Sequence, residues 1–278
     1  MIAMIYYFLT LFCCVLSAAE ERWVVAGQGM NVAFDSWQSD DAKAAAILVL
    51  ISGYNGSGKE MLDLRWKEFA EKNALILLAP SFQAEGFENT WGEGYYYPEQ
   101  GSGGVLEMAL NELTRRTGVN SDAVLLFGFS AGAHFAHRFA LWKPQRVKAF
   151  AAYSAGWWSE PTEAVRRVPA LIMCGEADPR YAATFEFFKM GQHLGCPWVW
   201  RSYTHTGHEL TSSVRNMAEA FLGHFAFRKE PSEMPALCYG DIQTFKSVPL
   251  AEKEVIPEEF RIELPSQAVA DVWEKETE

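Results

Sequence analysis

The sequence contains few cysteines, and their spacing excludes several kinds of site. Five cysteines are scattered over 278 residues, with no C-x-x-C pair, and no H-E-x-x-H motif occurs. Without such closely spaced ligands we expect no metal and no other cofactor. Cys13 and Cys14 belong to the N-terminal segment. The remaining Cys174, Cys196 and Cys238 are odd in number and have no paired spacing, so one disulfide is possible but a disulfide framework is not.

Basic residues are also scarce. The 24 Lys and Arg are outnumbered by 35 Asp and Glu, which gives a formal net charge of −11. Binding to nucleic acid depends on Lys and Arg that neutralise phosphates, so this balance argues against a nucleic-acid partner. Apolar residues are plentiful at 49%, which is enough to build a sizeable core in one large domain.

The N-terminus is an apolar run followed by small residues, MIAMIYYFLTLFCCVLSAA. It resembles a secretory signal peptide cleaved after Ala19, because Ser17 and Ala19 fit the small-x-small rule. No Lys or Arg precedes the run, so an uncleaved anchor is the alternative. We expect residues 1–19 to be a signal peptide, the protein to be secreted or periplasmic, and no stable membrane span to remain after cleavage.

Residues 20–228 alternate between short apolar runs and helical patterns. RWVVAGQGMNVAFDS predicts an opening hairpin, and six further apolar runs end in turn residues. The helical patterns cover about 59–72, 104–117, 131–142, 180–194 and 210–227. Apolar strands separated by helices are typical of a parallel sheet covered on both faces. The sequence therefore predicts an α/β domain with an eight-stranded, mostly parallel sheet whose first pair is antiparallel.

Residues 229–278 differ in composition from the rest of the chain. This segment is rich in Pro and Glu and shows little periodicity. We expect an acidic C-terminal extension that is packed on the domain or partly disordered. Its candidate anchors are Phe245, Ile256, Phe260, Leu264 and Trp273.

The strongest chemical signal is the G-x-S-x-G sequence of residues 128–132, which stands where a predicted strand meets a predicted helix. In that frame the chain turns so tightly that Ser130 takes a strained backbone conformation. Only small residues at Gly128 and Gly132 let the strand and helix pass each other. We therefore predict that Ser130 is a nucleophile, which needs a base oriented by an acid.

His208 is the predicted base, because it lies in the loop between the last predicted strand and the last helix of the domain. Gly207 gives this loop freedom to present it, and His205 is the alternative. His134 and His137 lie on the helix that leads away from Ser130, so we expect them to have structural partners.

The predicted acid is Asp178, three residues after Gly175 at the end of the preceding strand. Glu176 is the alternative acid, but it lies closer to the strand. Asp178 could also serve only as a cap or turn residue ahead of Pro179.

The chain order Ser130, Asp178, His208 is that of the α/β-hydrolases, which the sequence resembles from about residue 22 to 227. The shared features are the G-F-S-A-G turn, the G-x-x-D after the penultimate strand and the late G-H-E. Within that superfamily the sequence is similar to exported polyhydroxybutyrate-depolymerase and feruloyl-esterase proteins and to dienelactone-hydrolase-like proteins. The resemblance implies a Ser-His-Asp hydrolase with an oxyanion hole and no metal.

The segment ISGYNGSGKE, residues 51–60, permits two interpretations. Gly53, Gly58 and Lys59 have the spacing of a phosphate-binding P-loop, but Glu60 occupies the position of the Mg²⁺-binding Ser or Thr. The resemblance instead implies that this loop supplies one backbone N–H of an oxyanion hole.

The implied oxyanion donors are the backbone N–H groups of Tyr54 and Ala131. Many relatives carry His-Gly where this sequence has Ser52-Gly53. Because the donor is a backbone group, the difference concerns loop packing more than catalysis.

Aromatic residues flank the predicted site. The candidates for a substrate pocket are Trp91, Tyr95, Tyr96, Trp157 and Trp158. Flat rings with a polar edge suit sugars or aromatic acyl groups, although half of them could simply pack their loop onto the domain. The short connection after the sixth strand predicts that no large lid is present.

We therefore expect a serine esterase whose substrate is a small-molecule or polysaccharide ester, with short-chain or aromatic acyl groups. The alternatives are a serine peptidase of the same fold and a non-catalytic binding protein on this scaffold.

Overall fold

The computed structural model describes residues 19–39, 44–83, 94–227 and 236–275. The predicted signal peptide, apart from Ala19, lies outside the described residues, and so does Trp91. Within the described ranges, no helix has both the length and the apolar character needed to cross a bilayer.

Eight strands form the main sheet, in the order β1-β2-β4-β3-β5-β6-β7-β8. Their bounds are β1 (Ala19–Gly27), β2 (Met30–Gln38), β3 (Ala46–Ile51), β4 (Leu75–Ser81), β5 (Val124–Phe129), β6 (Val147–Tyr153), β7 (Ala170–Gly175) and β8 (Trp198–Tyr203). β1 and β2 are antiparallel to each other, β2 is antiparallel to β4, and the other pairs are parallel. This confirms the predicted eight-stranded, mostly parallel sheet.

In the part of the chain that the structure describes, six helices cover this sheet. They are α1 (Gly58–Met61), α2 (Leu64–Lys72), α3 (Ser102–Thr117), α4 (Ala131–Trp142), α5 (Tyr181–His193) and α6 (Ser212–Ala226). Ion pairs between Arg65 and Glu219 and between Asp63 and Arg215 join α2 to α6. On the other side α4 contacts α5, where the rings of His137 and Phe187 lie 5.3 Å apart. The helices thus form two groups, one on each face of the sheet.

The single helix predicted over 59–72 is wrong in one respect, because the structure divides it into α1 and α2. Asp63 separates them with an extended backbone, and its carboxylate accepts a 2.9 Å hydrogen bond from the Trp66 N–H. This side chain caps the start of α2, which the hydrophobic periodicity alone does not reveal.

The extension after residue 235 contains a small antiparallel sheet and a helix. The strands β9 (Cys238–Asp241), β10 (Lys246–Pro249) and β11 (Arg261–Leu264) lie in the order β10-β9-β11, and α7 (Gln267–Trp273) follows. Of the candidate anchors, Ile256, Leu264 and Trp273 are buried. Phe245 and Phe260 are partly buried against the core. The four-residue strands were too short to produce a periodic signal in the sequence.

The three cysteines of the described residues are buried free thiols. Cys174, Cys196 and Cys238 therefore form no disulfide in this structure, although the sequence left room for one.

Candidate active site

The turn between β5 and α4 has the strained geometry that the G-x-S-x-G sequence predicted. Ser130 has φ 55° and ψ −115°, a conformation that is rare for a residue with a side chain. A Cβ atom added to Gly128 would lie 2.2 Å from the Gly132 carbonyl oxygen, and one added to Gly132 would lie 2.1 Å from that of Ile51. Gly128 is therefore required where β5 meets α4, and Gly132 is required where α4 passes the end of β3.

Ser130, Asp178 and His208 form a continuous chain of hydrogen bonds. They follow β5, β7 and β8, whose carboxyl ends meet at one edge of the parallel sheet. Ser130 Oγ lies 2.8 Å from His208 Nε2, and His208 Nδ1 lies 2.7 Å from Asp178 Oδ2. Because a carboxylate only accepts, Nδ1 carries the imidazole proton and leaves Nε2 free to accept the hydroxyl proton of Ser130.

Two hydrogen bonds and one ring contact fix the loop that carries His208. The Tyr153 hydroxyl donates to the Gly207 carbonyl at 3.2 Å, and the Ala177 N–H donates to the Thr206 carbonyl at 2.9 Å. The Phe129 ring lies 5.0 Å from the His208 imidazole. The loops of the candidate acid and base are therefore held directly against each other.

Asp178 is held as a carboxylate. Burial by itself would raise its pKa, but hydrogen bonds from Arg180, His208 and Ser154 outweigh burial and lower the pKa below its ordinary value. The backbone N–H and a guanidinium nitrogen of Arg180 both donate to Oδ1, at 3.0 and 3.1 Å. The other oxygen, Oδ2, therefore remains available to the imidazole.

The alternative residues are placed differently. Exposed His205 makes no hydrogen bond to Ser130, and the Glu176 carboxylate accepts a hydrogen bond from the Ser202 hydroxyl at 2.8 Å. Buried His137 has both ring nitrogens in use, Nδ1 on the Ala133 carbonyl and Nε2 on the Ser159 N–H. The Nε2 atom of His134 accepts from the Gly156 N–H at 3.0 Å.

The loop after β3 lies against the candidate nucleophile. A Cβ atom at Gly53 would be 3.7 Å from that of Ser130, which puts the neighbouring Tyr54 backbone beside the site. The Tyr54 side chain is 57% exposed. Ala131 is the first residue of α4, directly after Ser130. The two implied oxyanion donors thus belong to the segments that meet at Ser130.

The contacts of this loop do not support a phosphate cradle. The Gly58 N–H already donates to the Ser81 hydroxyl, and the Lys59 N–H donates to the Ser57 hydroxyl. A Cβ atom at Gly58 would lie 2.2 Å from the Ala79 carbonyl oxygen, so this glycine is needed for packing against β4.

The candidate pocket residues separate into buried and exposed rings. Tyr95 and Tyr96 are buried, and their rings lie 4.6 Å apart in an edge-to-face pair. The Trp158 ring stacks on Phe187 at 4.3 Å. The rings of Tyr95 and Tyr96 are therefore packed inside the domain in this structure, and contact between these residues and a substrate stays a prediction. Trp157 is 53% exposed beside the site.

Arg138 and Arg180 were not singled out from the sequence. Buried Arg138 donates to the Tyr96 carbonyl, the Ser159 hydroxyl and the Trp157 carbonyl, so it connects the loops on both sides of the site. In the sequence, Arg138 follows His134 by four positions within a helical pattern, and nothing distinguishes it from other charged residues of a helix. For Arg180, the one available signal was its place two residues after Asp178.

No group of three or more His, Cys, Asp or Glu side chains in the described ranges is arranged to hold a metal ion.

The fold is similar to those of several solved structures, although no family model and no curated protein matches the sequence. A poly(aspartic acid) hydrolase from Sphingomonas sp. KT-1 is 19% identical, with a TM-score of 0.60 over 77% of this chain and 100% of that one. A poly(3-hydroxybutyrate) depolymerase from Bordetella parapertussis is 17% identical, with a TM-score of 0.61 over 73% and 90%. An S-formylglutathione hydrolase from Agrobacterium tumefaciens is 15% identical, with a TM-score of 0.60 over 78% and 97%. At these identities the likeness concerns the fold alone.

Proposed function

We propose that this chain, which has the α/β-hydrolase fold, is a serine hydrolase that cleaves carboxylic esters through an acyl-enzyme on Ser130. The observation that carries the proposal is the hydrogen-bonded chain from Asp178 through His208 to Ser130, with distances of 2.7 and 2.8 Å. A structural serine needs neither a strained φ nor an imidazole oriented by a buried carboxylate.

The proposed reaction begins with attack of Ser130 Oγ on the ester carbonyl carbon while His208 Nε2 takes the hydroxyl proton. Asp178 stabilises the imidazolium that forms. Backbone N–H groups of Tyr54 and Ala131 donate to the tetrahedral oxyanion, which is where such donors lower the barrier most. His208 then protonates the departing alcohol. Water, deprotonated by the same histidine, releases the acid and restores Ser130.

Short-chain or aromatic acyl esters, including acylated polysaccharides, are the substrate class that we propose. The connection between β6 and β7 is confined to residues 154–169, so no large lid covers the site there. Trp157 offers an exposed ring beside it, which suits a sugar or an aromatic group. The proposal agrees with the names of two structures of similar fold, the poly(3-hydroxybutyrate) depolymerase and a ferulic acid esterase that is 14% identical with a TM-score of 0.57.

Amide hydrolysis is the second candidate function, because attack on an amide uses the same Ser-His-Asp arrangement. One similar structure is named a poly(aspartic acid) hydrolase, and poly(aspartic acid) is an amide polymer. Export of the protein through the first 19 residues stays a prediction from their apolar sequence.

Turnover by the wild-type protein and by Ser130→Ala tests the proposal, with p-nitrophenyl acetate, methyl ferulate and a peptide amide as substrates. We expect the wild type to hydrolyse at least one ester, and the variant to lose on the order of 10⁶ in kcat, because the nucleophile is absent. Absence of ester turnover by the wild type, or turnover that survives the substitution, would refute an esterase acting through Ser130. Turnover of the amide alone would favour the second candidate.

His205 gives a matched control for the base, because it lies on the same loop as His208. We expect His208→Ala to be as damaging as loss of the nucleophile and His205→Ala to keep near-wild-type kcat. Labelling of Ser130 by a fluorophosphonate should likewise be lost in His208→Ala and be kept in His205→Ala. An equal loss of kcat in both variants would mean that turnover depends on the conformation of the loop and not on His208 as the base.

A further inference from the structure

Arg180 is a cation at the candidate active site with hydrogen-bond donors to spare. One guanidinium nitrogen, Nη1, donates to Asp178. No acceptor within the described ranges pairs with Nε or Nη2, and the side chain is 38% exposed. A Cβ atom at Gly156 would lie 3.6 Å from Arg180 Nε, so the guanidinium lies over the backbone that follows β6.

A second cation, Arg138, lies behind the same backbone. It is only 5% exposed, and its hydrogen-bond partners are neutral groups. None of the carboxylates in the described residues is within ion-pair distance of it. Burial lowers the pKa of His134 to about 3, and the charges of Arg138 and Arg180 add to that effect. The charges of both arginines are therefore felt at His134, behind the candidate site.

Trp157 supplies an apolar surface next to these charges. It directly follows Gly156, and its ring lies 5.3 Å from that of His134 on one side. The ring is nevertheless 53% exposed. Trp157 thus adjoins the Gly156 backbone, against which the Arg180 guanidinium lies. Arg180 is also connected to Ser130 by hydrogen bonds that pass through Asp178 and His208.

From this arrangement we propose that Arg180 and Trp157 form a subsite for a carboxylate carried by the ester substrate. The inference rests on the proposed esterase function and narrows it to esters with an anionic acyl or alcohol part. A guanidinium binds a carboxylate through parallel N–H donors, which a neutral amide cannot match in strength.

Two pairs of esters that differ only in charge test the subsite. On the acyl side, the p-nitrophenyl ester of glutarate is compared with that of glutaramate. On the alcohol side, 3-acetoxybenzoate is compared with 3-acetoxybenzamide. We expect kcat/KM to favour the carboxylate of at least one pair by about 10-fold or more, the scale of one hydrogen bond to a charged group. The pair that responds identifies which side of the ester faces Arg180.

The variants Arg180→Gln and Arg180→Lys show whether this preference comes from the guanidinium. Both should lower turnover of every ester, because Arg180 also holds Asp178. In Arg180→Gln the charged ester should lose more, mainly through KM, so that the preference disappears. Arg180→Lys should keep part of it. Arg166→Gln, which removes an exposed cation paired with Glu163, is the control and should keep the wild-type preference.

Salt gives an independent check. The preference should weaken between about 10 mM and about 1 M salt, because the screening length falls from about 30 Å to about 3 Å. Two outcomes would overturn the subsite and leave the esterase proposal intact. One is equal kcat/KM for the neutral and the charged ester of both pairs, and the other is a preference for the charged ester that is unchanged in Arg180→Gln. If Arg180→Gln fails to fold, an unchanged preference in Arg180→Lys overturns it. Absence of all ester turnover and of Ser130 labelling refutes both proposals.

Discussion

At the scale of single residues, His134 shows how the candidate site depends on a neutral imidazole behind it. Its Nε2 accepts from the Gly156 N–H at 3.0 Å, and its ring stacks on Tyr96 at 4.9 Å. Burial, with the nearby positive charges of Arg138 and Arg180, lowers its pKa from the ordinary 6.5 to about 3. A protonated His134 could not accept the Gly156 hydrogen bond, so the backbone beside Trp157 depends on this neutral form.

This shift predicts a loss of stability in acid. Between pH 6.5 and 3, His134 binds a proton in the unfolded chain but not in the folded protein. The contribution of His134 to the free energy of unfolding is therefore complete above pH 6.5 and is lost as the pH falls toward 3. From pH 7 to 5 the loss should be roughly 2 kcal/mol for this histidine. His137 shifts in the same direction because it is buried, and should add to the loss.

Urea unfolding at pH 7 and pH 5 measures the effect, with His134→Gln as the comparison. Glutamine keeps an acceptor for Gly156 but does not titrate. The drop in unfolding free energy between the two pH values should therefore be smaller in the variant by roughly 2 kcal/mol. Equal drops in both proteins would contradict the lowered pKa, because they would mean that the pKa of His134 is the same in the folded and the unfolded chain.

At the scale of elements, the junction of β5 and α4 requires two backbones to cross at close range. Gly132→Ala would place a methyl group 2.1 Å from the Ile51 carbonyl oxygen, and rigid backbone surrounds it. We expect a loss of about 1–3 kcal/mol or more in the free energy of unfolding, because overpacked sites must shift their backbone. The shift would also displace Ser130, so fluorophosphonate labelling should fall.

Gly207→Ala is the control for this prediction. A Cβ atom at Gly207 meets no atom within 4 Å, and its φ is not in the left-handed region. The melting temperature should therefore remain near that of the wild type. A Gly132→Ala protein that is as stable and as reactive as Gly207→Ala would show that the junction has room for a side chain.

At the scale of the whole molecule, the C-terminal extension is built into the domain. Strand β11 lies next to β8, the last strand of the main sheet, and α7 packs on α6. The Trp273 side chain is fully buried, and its indole N–H donates to the Trp200 carbonyl at 2.7 Å. Arg201 donates to the Lys275 carbonyl, so side chains of β8 are connected to the end of the extension.

Trp273→Ala should therefore destabilise the entire domain. Removing a fully buried Trp typically costs about 3–5 kcal/mol. A single urea transition should move to lower concentration. Val255→Ala, at a side chain 70% exposed, should leave the midpoint unchanged. A separate early transition, with the main transition unmoved, would mean that the extension unfolds independently of the domain.

The sequence by itself determined the features that depend on a few neighbouring residues. The apolar runs and helical patterns predicted the eight-stranded sheet, and residues 128–132 predicted the strained turn at Ser130. The chain order of Ser130, Asp178 and His208 indicated which residues to expect together. These signals are local, because periodicity and turn chemistry are set by residues close in sequence.

Only the tertiary structure decided which side chains meet. Ser130 and His208 are 78 positions apart, and sequence alone left His205 open as the partner. The burial of Tyr95 and Tyr96 and the donors left free on Arg180 likewise depend on how distant segments pack. Strands β9 to β11 are short, and they are held by pairing with one another and by the contact of β11 with β8. Such contacts leave no local pattern, because the residues that make them are close only after the chain has folded.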